Sequence, residues 1–214
     1  MNQISIGALK AVADVGRPNQ RALAKQRTRE KILAAATALF SERGYEGATI
    51  RDIAKAAGMS TGAVFASFAD KSDLFGEIVA GEQQALEALM IVAADERGAS
   101  SAVVAMLDAA AERHMSDLAL FQATMSAIWT PGLGSEVRRR VRRRPVALLV
   151  AEAVKSDLAS GETLGIDRGL VAEMLWDGYV STLRRASLEN LDLAAVKARV
   201  RELVKVVMAG ARAA

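Results

Sequence analysis

Residues 44–71 read GYEGATIRDIAKAAGMSTGAVFASFADK, and this stretch decides the fold. Thr49 and Asp52 have the spacing of a capping box, in which an N-cap residue is followed three positions later by an acidic residue. The sequence therefore predicts a short helix over about residues 50–57. Gly58 follows directly and ends that helix, because glycine adopts the left-handed conformation that a tight turn requires.

A second short helix follows the glycine turn. Ser60 is its natural cap and predicts a helix over about residues 61–68, and Asp70 caps a much longer helix over about 71–94. A preceding helix, over about 26–43, has an apolar stripe at helical spacing, formed by Ile32, Ala36, Leu39 and Phe40. Together these helices predict a helix-turn-helix, whose exposed third helix has the width of a DNA major groove.

The geometry of this unit divides its residues into a core and an outward face. The predicted core residues are Ile53, Ala54, Ala57, Met59, Val64 and Phe68, joined by Phe40 and Tyr45. The residues predicted to lie on or near the outward face are Thr61, Gly62, Ala63, Phe65 and Ser67.

The rest of the chain continues in helical patterns that are separated by polar or glycine-containing breaks. Further helices are predicted over about 100–115, 117–129, 135–158, 167–188 and 193–211. No segment alternates as a strand does. The fold class is therefore all-α, with about nine helices. A flexible tail is expected over 1–25, a helix-turn-helix domain over 26–75, and a second helical domain over 76–214, to which the effector-binding and dimerisation roles considered below are assigned.

Composition narrows the class of protein. Hydrophobic residues make up 51% of the 214, which is enough for a buried core. Residues 1–75 carry eleven Lys and Arg against seven Asp and Glu, whereas the remainder carries seventeen against eighteen. The basic excess near the helix-turn-helix suggests an anionic partner there. The chain has no Cys, one His and no apolar run near the roughly 20 residues of a membrane span, so we expect a cytoplasmic protein without a metal site, a cofactor or a membrane partner.

The sequence contains no complete motif for nucleotide binding or for a catalytic triad. Gly132-Leu133-Gly134 lacks both a preceding strand and the third glycine of a nucleotide-binding loop. His114 is the only His and has no serine elbow motif near it. We therefore expect no catalytic site.

Residues 27–75, which include AAATALFSERGYEGATIRDIAKAAGMSTGAVFASFADKSDLF, resemble the DNA-binding domain of TetR-family (tetracycline-repressor-like) regulators. The resemblance covers caps, turn glycines and core positions in order. The remainder is similar to the family only in length and helical composition.

The resemblance implies a role for individual residues. Thr49 would offer its hydroxyl to a phosphate, Arg51 would reach a phosphate or a guanine, and Lys71 would pair with a phosphate. Side chains that open the recognition helix would meet bases, and Ala63 would touch a thymine methyl group. The implied DNA-binding set is Thr49, Arg51, Ser60, Thr61, Gly62, Ala63, Phe65, Ser67 and Lys71.

Two positions depart from the family pattern. The family usually has Tyr where this chain has Phe65, and often His where it has Ser67. Phe65 cannot donate a hydrogen bond to phosphate, and Ser67 has a shorter reach. Fewer phosphate contacts are expected to weaken the affinity for DNA and to flatten its salt dependence.

Large and flexible apolar side chains in the second domain could line an effector cavity, although most residues at such spacing are ordinary core. The candidate effector-binding residues are Met106, His114, Phe121, Gln122, Met125, Trp129, Met174 and Trp176, with Met115 and Tyr179 nearby in the pattern.

The last two helices carry apolar stripes, which the resemblance implies would form a four-helix bundle with a second copy. The candidate dimer residues are Val171, Leu175, Gly178, Thr182, Val196, Val200, Leu203 and Val207. A helix-turn-helix monomer reads only half of a two-fold site, so its mechanism also requires a dimer.

A run of arginines, Arg138, Arg139, Arg140, Arg142, Arg143 and Arg144, could contact DNA or an acidic partner, but a solvated helix start is the plainer reading.

These features predict a homodimeric transcriptional regulator. It would bind a pseudo-palindromic double-stranded DNA operator, act as a repressor, and leave the DNA when a small-molecule effector binds. The alternatives are a sequence-tolerant architectural DNA-binding protein and, more remotely, a helical enzyme or scaffold.

Overall fold

The computed structural model describes residues 20–98, 101–129, 146–160 and 162–213, and these residues form nine α-helices and no strand. The helices are α1 (Gln20–Gly47), α2 (Ile50–Ala56), α3 (Thr61–Phe65), α4 (Lys71–Glu96), α5 (Ala102–Ser116), α6 (Leu118–Trp129), α7 (Val146–Ser156), α8 (Arg168–Glu189) and α9 (Leu193–Ala213). The predicted all-α fold class is confirmed. None of the described helices is long and apolar enough to cross a membrane. The arginine run at 138–144 and the first nineteen residues lie outside the described residues.

Helix α1 is longer than predicted at both ends. It begins at Gln20 instead of residue 26, within the segment expected to be a flexible tail. Residues 20–26 read QRALAKQ and are mostly strong helix formers, whereas the prediction relied on the buried stripe that starts at Ile32. Gly44 interrupts the helix where its end was predicted, with a φ of 71°, and one further turn follows.

The first core joins α1, α2, α3 and α4 and holds the helix-turn-helix together. Phe40 and Phe75 meet edge to face with ring centroids 5.1 Å apart, and Tyr45 lies 4.8 Å from the Phe75 ring. The predicted core residues Ile53, Ala54, Val64, Phe68 and Phe40 are buried, and Tyr45, Ala57 and Met59 pack against them. This part of the core prediction is confirmed.

The second core lies among α5, α7, α8 and α9, and two helices belong to both cores. In α4, Phe75 packs in the first core and Met90 in the second. In α6, Leu120 packs in the first core and its neighbour Phe121 in the second. The two domains therefore share α4 and α6 and are not connected only by a linker.

A carboxylate from outside α5 closes the start of that helix. Asp157, just after α7, accepts hydrogen bonds from the backbone N–H groups of Ala102 at 2.6 Å and Val103 at 3.1 Å, and from the hydroxyl of Ser101 at 2.5 Å. A negative charge at a helix N-terminus is favourable, so this contact fixes α7 against α5.

The predicted dimer stripe is wrong for four of its residues. Val171, Leu175, Val196 and Val200 have no exposed surface in the single chain, so they cannot contact a second copy. The stripe faces the chain's own core because α8 and α9 pack on each other and on α5 and α7.

The other four residues of the predicted stripe, Gly178, Thr182, Leu203 and Val207, also make contacts within the chain. A Cβ atom on Gly178 would lie 2.7 Å from Leu203 Cδ2 of the same chain, and Thr182 Oγ1 donates to the Gly178 carbonyl at 2.9 Å. Val207 is half-buried against the same core. An apolar stripe in a sequence does not distinguish a core from an interface, and here most of it forms the core.

Two phenylalanine substitutions test this division of the first domain. Phe40→Ala should lower the free energy of unfolding by about 3–5 kcal/mol, because it leaves a cavity between α1 and α4. Phe65→Ala is the matched control: its ring is 55% exposed, whereas Phe40 is 0% exposed, and it should change stability little. Urea unfolding followed by circular dichroism measures both, and equal losses would contradict the assigned core.

Candidate nucleic-acid interface and effector core

The start of α2 is closed by a reciprocal contact between Thr49 and Asp52. Thr49 Oγ1 accepts the Asp52 backbone N–H at 3.2 Å and donates its proton to Asp52 Oδ2 at 2.6 Å. The hydrogen bond from Thr49 holds the pKa of Asp52 below its usual value. The predicted cap is confirmed, but the Thr49 hydroxyl proton is engaged by the carboxylate and is not presented to solvent.

The turn between α2 and α3 has the conformation that the sequence predicted. Gly58 has a φ of 68°, and the backbone N–H of Met59 donates to the Ala54 carbonyl at 2.8 Å. Ser60 then caps α3 by accepting the Ala63 backbone N–H at 3.2 Å. The turn and the cap fix the direction in which α3 leaves the first core.

Helix α3 presents a small and mainly apolar face. Thr61, Gly62 and Phe65 are exposed, and Ala63 is half-buried. Ser67 lies just beyond the helix and donates its hydroxyl proton to the Ala63 carbonyl at 3.3 Å. Of the five residues predicted to lie on or near the outward face, Thr61, Gly62 and Phe65 are therefore exposed, and Ala63 and Ser67 are half-buried.

Cationic side chains lie on the helices before and after α3. Arg51 and Lys55 are exposed on α2, and neither forms an ion pair with another described residue. Lys71 is more enclosed: its Nζ donates to the Tyr45 carbonyl at 2.9 Å and lies 4.3 Å from the centroid of the Tyr45 ring. Lys71 therefore joins the start of α4 to the end of α1, a role that the sequence did not indicate.

Arg29 is the residue of this region that the sequence analysis missed. Its guanidinium donates to both carboxylate oxygens of Glu77, at 3.1 and 2.5 Å, and to the Ser67 carbonyl at 2.6 Å. It also lies 4.2 Å from the centroid of the Phe68 ring. A signal was present, because Arg29 precedes Ile32 by three residues and extends the buried stripe of α1.

In the second core, several of the candidate effector residues do meet. His114 Nδ1 and the Tyr179 hydroxyl are 2.7 Å apart, and the His114 ring lies 4.6 Å from Phe121. Trp176 lies 5.1 Å from Tyr179 on the other side. We call these four residues the aromatic cluster. Met106 is buried in the same core, and Met115 and Met125 pack against it.

Burial controls the protonation of this cluster. Desolvation, with a smaller contribution from the nearby charge of Arg113, lowers the pKa of His114 from 6.5 to about 4. Burial raises the pKa of Tyr179 far above its usual range. The pair is therefore neutral at neutral pH.

The remaining candidates lie elsewhere. Gln122 is exposed and lines an open cavity of about 370 Å³ between α6 and the end of α8, together with Ser187 and Asn190. Met174 is 46% exposed on the outer face of α8 and does not join the aromatic cluster. The side chain of Trp129 lies outside the described residues. Among the described residues, no group of three His, Asp or Glu side chains could hold a metal ion.

Comparison with known proteins identifies the first domain. Residues 32–78 match the family model described as bacterial regulatory proteins, tetR family. The chain is 51% identical over 53 residues to the HTH-type transcriptional regulator AcrR of Shigella flexneri, which covers 25% of each protein. It is 50% identical over 48 residues to the HTH-type transcriptional repressor AcnR of Corynebacterium glutamicum, which covers 22% of this chain and 26% of AcnR. The chain thus spans about a quarter of the length of these two curated relatives.

A longer but weaker likeness extends through the second domain. The HTH-type transcriptional regulator SrpR of Pseudomonas putida is 26% identical over 194 residues, covering 83% of this chain and 87% of SrpR. The structure of FadR from Bacillus subtilis in complex with stearoyl-CoA superimposes with a TM-score of 0.72 at 19% identity, over 85% of this chain and 98% of FadR. FadR from Bacillus halodurans gives a TM-score of 0.70 at 18% identity, over 86% and 96%. At this identity the structures show a shared fold.

The low pKa of His114 makes the stability of the protein depend on pH. Because the unfolded chain binds a proton near pH 6.5 and the folded chain only near 4, stability is full above pH 6.5 and is lost as the pH falls toward 4. Each unit of pKa difference corresponds to about 1.4 kcal/mol. His114 is the only His in the chain, so its NMR titration is unambiguous. A folded-state pKa near 6.5 would contradict the burial, and His114→Asn should flatten the stability profile between pH 4 and 6.5.

Proposed function

We propose that the chain, whose residues 32–78 match the tetR family model of bacterial regulatory proteins, is a ligand-responsive transcriptional repressor of that family. It binds a pseudo-palindromic operator as a dimer and leaves the DNA when a small-molecule effector binds. The observation that carries this proposal is the capped helix-turn-helix, in which α3 is held with its outer face open to solvent. A helix exposed in this way can enter a major groove.

The charges around α3 support DNA as the partner. Arg51 and Lys55 are exposed cations without an ion pair among the described residues, and they lie on the helix next to α3. Lys71 Nζ donates to the Tyr45 carbonyl and lies 3.8 Å from Glu46 Oε2, so a phosphate would replace Glu46 as the ionic partner while the carbonyl contact is kept. Phosphate contacts of this kind position a protein on DNA, and base contacts specify the sequence.

The outer faces of α8 and α9 replace the predicted stripe as the proposed dimer interface. Leu170, Met174 and Leu188 on α8 and Val206 on α9 are between 46% and 77% exposed. Apolar side chains left outside the core of one chain are suited to pack against a second copy. A two-fold dimer would then present two α3 helices to successive major grooves.

Release by an effector would act through the helices that belong to both cores. A molecule that changes the packing around Met90 or Phe121 moves α4 or α6, and both helices also pack in the first core. FadR of Bacillus subtilis is bound to stearoyl-CoA, whose acyl chain is apolar. The second core is also apolar apart from the His114–Tyr179 pair, so we expect an effector with a large apolar part and one hydrogen-bonding group.

Selection of bound duplexes from random DNA tests the DNA-binding function. A regulator should return a two-fold motif, whereas an architectural DNA-binding protein would return no motif, and a scaffold or enzyme would retain no DNA. Arg51→Ala and Lys71→Ala should each lower the salt slope of binding by about one unit if each contacts one phosphate. Lys155→Ala, an exposed lysine near the end of α7, is the control and should leave the slope unchanged.

The dimer interface is tested by a charge placed on its proposed surface. Val206→Glu should give monomers in sedimentation velocity at concentrations where the unaltered chain is a dimer, because a carboxylate is costly to bury in an apolar contact. Leu148→Glu on α7 is the matched control, since Leu148 is 62% and Val206 61% exposed. A dimer that persists in Val206→Glu, or one that is lost in both variants, would contradict this interface.

A further inference from the structure

The recognition helix lacks the side chains that usually read bases by hydrogen bonding. Residues 59–69 read MSTGAVFASFA and contain no Asn, Gln, Arg or Lys, the residues that form paired hydrogen bonds with adenine or guanine. Of its three hydroxyl groups, that of Ser60 accepts the Ala63 N–H, and that of Ser67 donates to the Ala63 carbonyl. The third hydroxyl, that of Thr61, forms no observed hydrogen bond with another described residue.

Phe65 is the largest side chain on the exposed face of α3. Phe65 is 55% exposed. The other aromatic side chains that the structure describes are buried or half-buried. Its neighbours on the surface are small: Gly62, Ala66 and Ala69 are exposed, and Ala63 is half-buried. The side chains Val64 and Phe68 face inward and anchor the segment, so Phe65 cannot turn into the core without displacing them.

An apolar face of this kind fits one feature of the major groove. Thymine carries a C5-methyl group there, and apolar side chains contact it, whereas cytosine presents an amino group and no methyl group. We propose that α3 reads its half-site by apolar contact with thymine methyl groups and that Phe65 is the principal reading residue. This inference rests on the proposed function, and it assigns to that function the chemistry by which sequence is recognised.

The consequence for the operator is specific. The base pairs under α3 should be A·T, with the thymine methyl group facing Phe65, and the hydrogen-bonding readout should come from Arg51 at the edge of the half-site. Because burial of one methyl group changes an equilibrium constant about fourfold, each contacted thymine should contribute a factor of this size.

The test uses duplexes that carry the two-fold motif recovered from random DNA. Each thymine is replaced in turn by uracil, which differs only by the absence of the methyl group, and affinity is measured by fluorescence anisotropy. In the unaltered protein, uracil under α3 should weaken binding about fourfold, or about fifteenfold when both half-sites are changed. Uracil outside the motif is the control and should have no effect.

Variants at position 65 assign the contact to the ring. In Phe65→Ala the uracil and thymine duplexes should bind equally at the position that Phe65 reads, and in Phe65→Leu part of the difference should remain. Unchanged unfolding of Phe65→Ala shows that the loss is not one of folding. Phe65→Tyr should not tighten binding, because its hydroxyl would lie against the base edges.

The outcomes separate the inference from the function on which it depends. Failure to recover a two-fold motif from random DNA would contradict the proposed function itself. A recovered motif whose thymines all tolerate uracil would leave the regulator in place and overturn the methyl readout. Tighter binding of Phe65→Tyr to every sequence alike would also overturn it, because the ring would then lie beside a phosphate.

Discussion

One guanidinium group fixes the far end of the segment that contains α3, whose near end is fixed by the Gly58 turn and the Ser60 cap. Helix α3 has five residues, too few to be stable alone, and it contributes one fully buried side chain of its own, Val64. Arg29 holds the segment just after α3 by donating one N–H to the Ser67 carbonyl at 2.6 Å, and its other N–H groups donate to the Glu77 carboxylate on α4. A fork of this geometry fixes direction as well as distance. The angle between α1, α3 and α4 is thus set by a planar group and not by apolar packing alone.

The features predicted correctly from sequence are those set by neighbouring residues. The caps at Thr49 and Ser60 and the turn at Gly58 depend on a few consecutive positions, so the pattern of residues is sufficient to place them. The core of the first domain followed from these caps, because they fix which face of each short helix points inward.

The features that were missed or wrong depend on which helices meet in space. Val171 and Val196 have the spacing of an interface stripe, yet that spacing is shared by any helix face that is buried, and here the partner is the same chain. The spacing of Arg29 from Ile32 places it on the buried side of α1, but its partner Glu77 is set by the tertiary fold and not by the neighbouring sequence. The same holds for Lys71, whose partner, the carbonyl of Tyr45, is a backbone group and leaves no mark in the sequence.

Leu120 and Phe121 are consecutive residues of α6 that pack in different cores. On a helix, consecutive side chains point about 100° apart, so the helix cannot roll about its axis to improve the fit of one without spoiling the fit of the other. The same helix is tied at its start, where Asp117 accepts the hydroxyl of Ser41 on α1 at 2.9 Å. Helix α6 is consequently expected to transmit a change in one core to the other by tilting about its tied start, not by turning about its own axis.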